Sequence, residues 1–345
     1  MEKKNILKES LRETSKGKYY NEIDIAKGIT IILVIIGHAL VSLNGKVPKG
    51  FPSILMEVIY SFHMPVFFFL SGLLASKILN FKKIEWGFLA SKAKRLMIPY
   101  FFCGALYLLM KWAMSKMLGI KGNTPALWKV FVGINPNYEL WFLYVLFICF
   151  VISILLVRKK NIVIAIIIAA IASICFGFLT NDGFAVLNTV AKICKNTLFF
   201  VAGMYIGTNY ESIKKKINWI TALMSLPFFV AANIVIANTN IVILSNAAKV
   251  VSSFAGIIIV LWISLLLSNT VISRPAIGLG KNSMCIYIIS GFVLPVISKV
   301  LLDKIGTPYT LSVTISTILT IVISILVSFV INNIKYLRLL MFGMD

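Results

Sequence analysis

The chain has two histidines, and both lie inside apolar runs: His38 in GITIILVIIGHAL and His63 in SFHMPVFFFLSGLL. A neutral imidazole can act as general base, nucleophile or proton shuttle near neutral pH. An ionisable group embedded in a bilayer is costly, so it belongs on the bundle interior or beside a wet cavity. For either histidine alone, a hydrogen-bonded packing role is the plainer alternative. Upstream of His38 stand Asp24 and Lys27, one turn apart and able to pair on one helix face. Interfacial anchoring is the plainer role for that pair. At 1.5 Å per residue, His38 lies roughly 16 Å beyond Lys27. His38 is about 8 Å, and His63 about 12 Å, from the same side of two neighbouring antiparallel helices. Their shared depth points to one site. Pro65 is expected to break the second helix just after His63 and to open a water-accessible pocket.

The elements that must carry these residues are membrane spans. The 345 residues are 59% hydrophobic and 13% charged, against about 25% charged in soluble domains. The apolar residues fall in runs of roughly 20, the length that crosses a bilayer as a helix. The runs lack the period-2 alternation of barrel strands, which excludes that architecture. The expected fold is an all-α, polytopic bundle of about ten spans, near 23–43, 55–76, 96–117, 138–157, 162–180, 185–207, 217–237, 241–267, 282–302 and 309–333. A polar tail over 1–22 and a short tail over 335–345 flank a membrane domain over 23–334. The first tail reads as uncleaved, because it lacks the short basic region and small-residue cleavage site of a signal peptide.

The formal charge is +22. It sits in short loops, including Lys77, Lys82, Lys83, Arg158 to Lys160, Lys214 to Lys216 and Arg274 with Lys281, which fall on one side if the spans alternate. That side is expected to be cytoplasmic, with both termini there. The charge is therefore a topology signal, and no nucleic-acid partner is expected. The five cysteines lie in or beside apolar runs without metal-site spacing, so they read as packing residues and no metal is expected.

Lys27, ten residues and then His38, with Asp24 three residues before the lysine, resembles the first-helix signature of the membrane acyltransferase 3 family. FFFLSGLL resembles its second-helix Ser-Gly motif, with Ser71 and Gly72. KAKRLMIPY resembles its basic segment before the third helix, and LWFLYVLF its Trp-Phe-Leu motif. LFFVAGMYIG and GKNSMCIYI resemble later segments. His63 before Pro65 is similar to the branch grouped with fucose 4-O-acetylases. Two departures are Lys27, where arginine is commoner, and Ser290, where the family often has histidine.

The resemblance implies a stand-alone O-acetyltransferase. It would take an acyl group, usually acetyl, from cytoplasmic acyl-CoA to a hydroxyl of a cell-surface glycan or its lipid-linked precursor. The setting would be a bacterial cell membrane, with membrane lipid as partner. In that reading His38 and His63 are catalytic, and Lys27, Lys92 and Arg95 offer cations to the CoA phosphates. Glu139 and Trp141, at the outer mouth of the fourth span, would orient or stack on the acceptor, while Asp24, Ser71 and Gly72 support the site. Ser71 with Gly72, and Gly203 with Gly207, read as close-packing positions. Lys249, alone within an apolar run, stays without an assigned role. Two other classes fit parts of the sequence. A transporter or flippase for a polar or lipid-linked glycan also suits many spans and intramembrane histidine. A sensor that kept the fold without the chemistry would fit the loss of the late histidine.

Overall fold

The computed structural model describes residues 20–42, 47–117, 128–131, 133, 140–176 and 185–344. Most of the N-terminal tail, Tyr138 and Glu139 lie outside the described residues. Among the described residues every regular element is helical. In chain order these are α1 Asn21–Ser42, α2 Phe51–Leu74, α3 Trp86–Met117, the short α4 Trp128–Phe131, α5 Trp141–Leu156, α6 Ile162–Cys175 and α7 Ala185–Thr208. Then come α8 Tyr210–Lys214, α9 Trp219–Asn238, α10 Val242–Leu267, α11 Ser273–Lys281, α12 Ser283–Lys299, α13 Tyr309–Asn332 and α14 Lys335–Phe342.

Among the described residues, each expected apolar run overlaps a helix. Six of these helices are long and apolar enough to cross a membrane, and α11 with α12, bent by 72°, brings the number to as many as seven. The helices α5 and α6 are apolar but shorter, with 16 and 14 residues. Ile164, Ile167, Ile168 and Ile171 of α6, Phe228 of α9 and Phe329 of α13 are exposed. A bundle that turns such side chains outward is solvated by lipid.

Without a hydrophobic drive between helices in lipid, packing depends on how closely backbones approach. A Cβ on Gly72 would stand 1.9 Å from the Phe200 carbonyl oxygen, and one on Gly203 2.1 Å from that of Phe69. Gly207 meets the Leu73 carbonyl in the same way. These contacts fix α2 and α7 side by side and parallel, as the small-residue pattern leads one to expect. A second seam joins α1 to α11, through Gly28 against Ala276 and Gly280 against Asp24.

Two prolines act differently from expectation. Pro65 does not break α2, which runs unbroken from Phe51 to Leu74. Its missing N–H leaves the Ser61 carbonyl outside the helical ladder, and the Ser253 hydroxyl of α10 donates to that oxygen at 2.8 Å. A neighbouring helix, rather than a water-filled gap, satisfies the freed group. Pro99 also lies inside a helix, because α3 begins at Trp86, ten residues earlier than the apolar run alone suggests. Lys92 and Arg95 are thus one turn apart on a helix instead of in a loop. After α14 the chain turns through Gly343, whose φ is 62°, with its Cα against the backbones of Lys94 and Arg95.

Candidate active site

The start of α1 supplies the first pair of groups. Lys27 Nζ lies 3.0 Å from Asp24 Oδ1, and the Asp24 carboxylate is buried. Glu22, two residues earlier and so on another face, binds Lys214 Nζ at 2.5 Å and accepts from the Tyr210 hydroxyl at 3.4 Å. Burial, and then the Glu22 carboxylate, push the Tyr210 hydroxyl above its ordinary range. It therefore stays protonated as the donor, and α8 is clamped to the start of α1.

Asp24 and Lys27 open into a cavity of about 350 Å³. From α2 its wall has Met64, Phe67, Ser71 and Leu74; from α3, Lys92 and Arg95; from α5, Phe142 and Phe150. The remaining wall is the bend between α11 and α12, with Gly280, Lys281, Ser283 and Tyr287. Lys27, Lys92 and Arg95, far apart in sequence, thus line one space. Lys92 Nζ sits 4.9 Å from the centroid of the Phe150 ring and 5.1 Å from that of Phe88, so aromatic faces hold the amine at the wall. Lys281 is a fourth cation that sequence reasoning treated as loop charge. Its signal was present in GKNSMCIYI, but only the bend turns that segment into the cavity. The volume is at the lower end for ligand pockets, which suits a slim apolar arm with a phosphate-bearing head at the cationic rim.

The histidines lie beyond this cavity, nearer the opposite face of the bundle. The α2 residues Tyr60, His63, Met64, Phe67, Ser71 and Leu74 recur at helical spacing on one face. On α1, Asp24, Lys27 and His38 do the same. His63 and His38 thus continue two walls of the cavity. His63 is buried, with Nδ1 2.6 Å from the Ile59 carbonyl. A carbonyl only accepts, so Nδ1 carries the proton and Nε2 keeps the lone pair. His38 is half-buried, and its Nδ1 lies 3.5 Å from the Tyr60 hydroxyl. The Tyr60 ring stands between the imidazoles, with centroids 6.1 Å from His38 and 5.0 Å from His63. Sequence reasoning missed Tyr60, although its place one turn before His63 is visible in YSFH.

The other expected site residues are placed as follows. Ser71 lines the cavity, whereas Gly72 sits at the α2–α7 seam. Trp141 packs inside the bundle, its ring stacked 6.3 Å from that of Phe68 and 4.9 Å below Lys192 Nζ. Ser290 is buried and donates to the Tyr287 carbonyl at 2.8 Å, so it packs α12 rather than facing the cavity. Glu139 lies outside the described residues.

The acyltransferase domain profile matches residues 20–330. The chain is also 27% identical over 315 residues to nodulation protein NolL of Mesorhizobium japonicum, covering 86% of this chain and 82% of that protein. No solved structure matches it. A match over nearly the whole bundle, embracing both histidine helices and every wall of the cavity, identifies the chain as a multi-pass member of the membrane acyltransferase 3 family.

Proposed function

We propose that this protein transfers an acetyl group from cytoplasmic acetyl-CoA to a hydroxyl of a cell-surface glycan or its lipid-linked precursor, across a bacterial cell membrane. The observation that carries this reading is the alignment of the cationic cavity with the histidines on the same faces of α1 and α2. The lysine-rich face is read as cytoplasmic. Lys27, Lys92, Arg95 and Lys281 then offer cations to the CoA phosphates where the donor enters. Two helical turns, roughly 11 Å, separate Ser71 from the level of His63. An extended pantetheine arm, comparable to about five extended residues or roughly 17 Å, spans that distance.

At the inner end of the arm the acceptor hydroxyl oxygen attacks the thioester carbonyl carbon. His38, the more accessible imidazole, takes the hydroxyl proton as the carbon–oxygen bond forms. The carbon–sulfur bond then breaks, and the same proton neutralises the departing CoA thiolate. His63, its Nδ1 held by Ile59, presents Nε2 to the same space and orients the acceptor. Tyr60 keeps the two rings apart.

The test is transfer from labelled acetyl-CoA to native surface glycan by membranes holding wild-type or His38→Ala protein. The expected result is transfer by the wild type and none detectable above background by a folded variant. Wild-type rates in that variant would overturn the reading, and a transporter would incorporate no label at all.

A further inference from the structure

The helices α7 and α10 carry polar faces that acetyl transfer from the cavity leaves unused. On α7 the face is Asn188, Lys192, Lys195 and Asn196; on α10 it is Asn246, Lys249, Ser252 and Ser253. Lysine inside an apolar span is costly unless it serves a partner or a path. Neither helix bears a carboxylate.

The packing sets their depth. Gly203 abuts Phe69 and Gly207 abuts Leu73, so α2 and α7 share one parallel register. Two turns back along both helices, that register sets Lys195 level with Ser61, two residues from His63. On the other side of α2, the Ser253 hydroxyl lies 2.8 Å from the Ser61 carbonyl and 2.7 Å from the Lys249 carbonyl, the two acceptors sharing its single proton. Lys249 is therefore also anchored near the level of Ser61. The two helices converge at the Phe199–Phe254 ring contact, with centroids 5.2 Å apart. The lysines lie on the far side of that contact from the basic face. Between them α6 forms the back wall, where Asn246 donates to the Ile174 carbonyl at 3.3 Å and Ser173 to that of Lys195 at 3.5 Å. Lys192 Nζ points inward over Trp141, while Lys249 is exposed at the bundle surface. The lysines thus run from the bundle surface, at Lys249, inwards to Trp141, at Lys192.

We propose that Lys192, Lys195 and Lys249 form a phosphate-binding cleft that holds the phosphate joining a glycan acceptor to its lipid carrier, with the sugar directed at His38 and His63. This rests on the acyltransferase reading and names its acceptor class as a lipid-phosphate-linked glycan. Several ammonium groups at one depth beside a phosphate anion match the way lysine binds phosphate, as a point charge. Lys249, exposed on the flank of the bundle, is within reach of a carrier whose chain stays in the bilayer.

The experiment uses the full chain in nanodiscs of zwitterionic phosphatidylcholine. Bound polyprenyl diphosphate, the matching polyprenol and phosphatidylglycerol are compared by native mass spectrometry. The wild type is expected to retain the diphosphate in preference to both other lipids, less so at high salt. A triple Lys→Gln variant at positions 192, 195 and 249 should lose roughly tenfold or more in affinity for it, and the triple Lys→Arg variant should keep it. Equal retention of phosphatidylglycerol would overturn the acceptor assignment, leaving a general lipid-headgroup site. Unchanged diphosphate binding in the folded Gln variant would also overturn it, leaving lysines that only snorkel to the interface. Hydrolysis of labelled acetyl-CoA by the wild type, measured alongside, separates the failure of this cleft from that of the acyltransferase reading.

Discussion

Gly280 of α11 meets the backbone of Asp24 on α1 so closely that a Cβ there would stand 1.8 Å from the Asp24 carbonyl oxygen. Asp24 in turn holds Lys27 at the rim of the cavity. Adding a methyl at Gly280 must push the two helices apart, at a cost typical of overpacking, about 1–3 kcal/mol. Gly280→Ala should lower the thermal midpoint and raise the KM for the acyl donor. Gly278→Ala is the control, because a Cβ there meets nothing within 4 Å. Equal behaviour of the two variants would show that the seam does not position the donor site.

Removing the cations should affect donor use. Arg95→Ala should raise the donor KM several-fold while leaving the acceptor KM near the wild-type value, since charge-assisted contacts to phosphate are lost. Lys27→Ala should do this and also destabilise the fold, because the buried Asp24 carboxylate loses the ammonium 3.0 Å from it. Lys27→Arg should recover much of both. Steady-state kinetics at two salt concentrations check the idea, and an unchanged donor KM in both alanine variants would place the donor elsewhere.

Tyr60 separates the two imidazoles by ring bulk more than by its hydroxyl, whose 3.5 Å contact with His38 is long for a hydrogen bond. Tyr60→Phe should therefore keep transfer within roughly tenfold of wild type, and Tyr60→Ala should fall much further. Equal loss in both would mean that the hydroxyl takes part in proton transfer.

His38→Ala should reduce transfer by roughly 10²–10⁴-fold, the range for loss of a general base. His63→Ala should reduce it strongly as well. If the two act as a unit, the double variant should be little worse than His38→Ala alone. Multiplicative effects in rates normalised to folded protein would argue for two separate roles.

The Ser253–Ser61 contact gives a test of the Pro65 account. Ser253→Ala should cost roughly 0.5–2 kcal/mol, because the freed Ser61 carbonyl loses its donor. In a Pro65→Ala background the restored N–H can serve that carbonyl, so the same substitution should cost much less. A double-mutant cycle on thermal or denaturant unfolding reads the coupling, and additivity would refute the account.

Apolar runs of helical length made the helices and their order legible in the sequence. The joint depth of His38 and His63 was legible too, because it needs only rise per residue and alternating direction. Three-dimensional register was not. Lys281 looked like one more positive loop charge until the 72° bend carried it into the cavity. Pro65 looked like a break because the sequence does not reveal that a serine from α10, 188 positions after it, will take the place of the missing N–H. Trp141 looked like an outer-mouth aromatic, but its stacking on Phe68 depends on how far α5 sinks between its neighbours. Lys192, Lys195 and Lys249 belong to helices that are placed separately by their packing on α2, so their common depth could not be read from spacing.

The glycine seams also have a genetic consequence. Any single-base change that turns a glycine codon into that of another amino acid introduces a Cβ. At Gly28, Gly72, Gly203, Gly207 and Gly280 that carbon would fall inside a neighbouring backbone. An unbiased screen for inactive alleles should therefore collect missense changes at these five codons, most of them beyond the reach of donor and acceptor. Such a screen would outline the seams of the bundle before it outlined the chemistry.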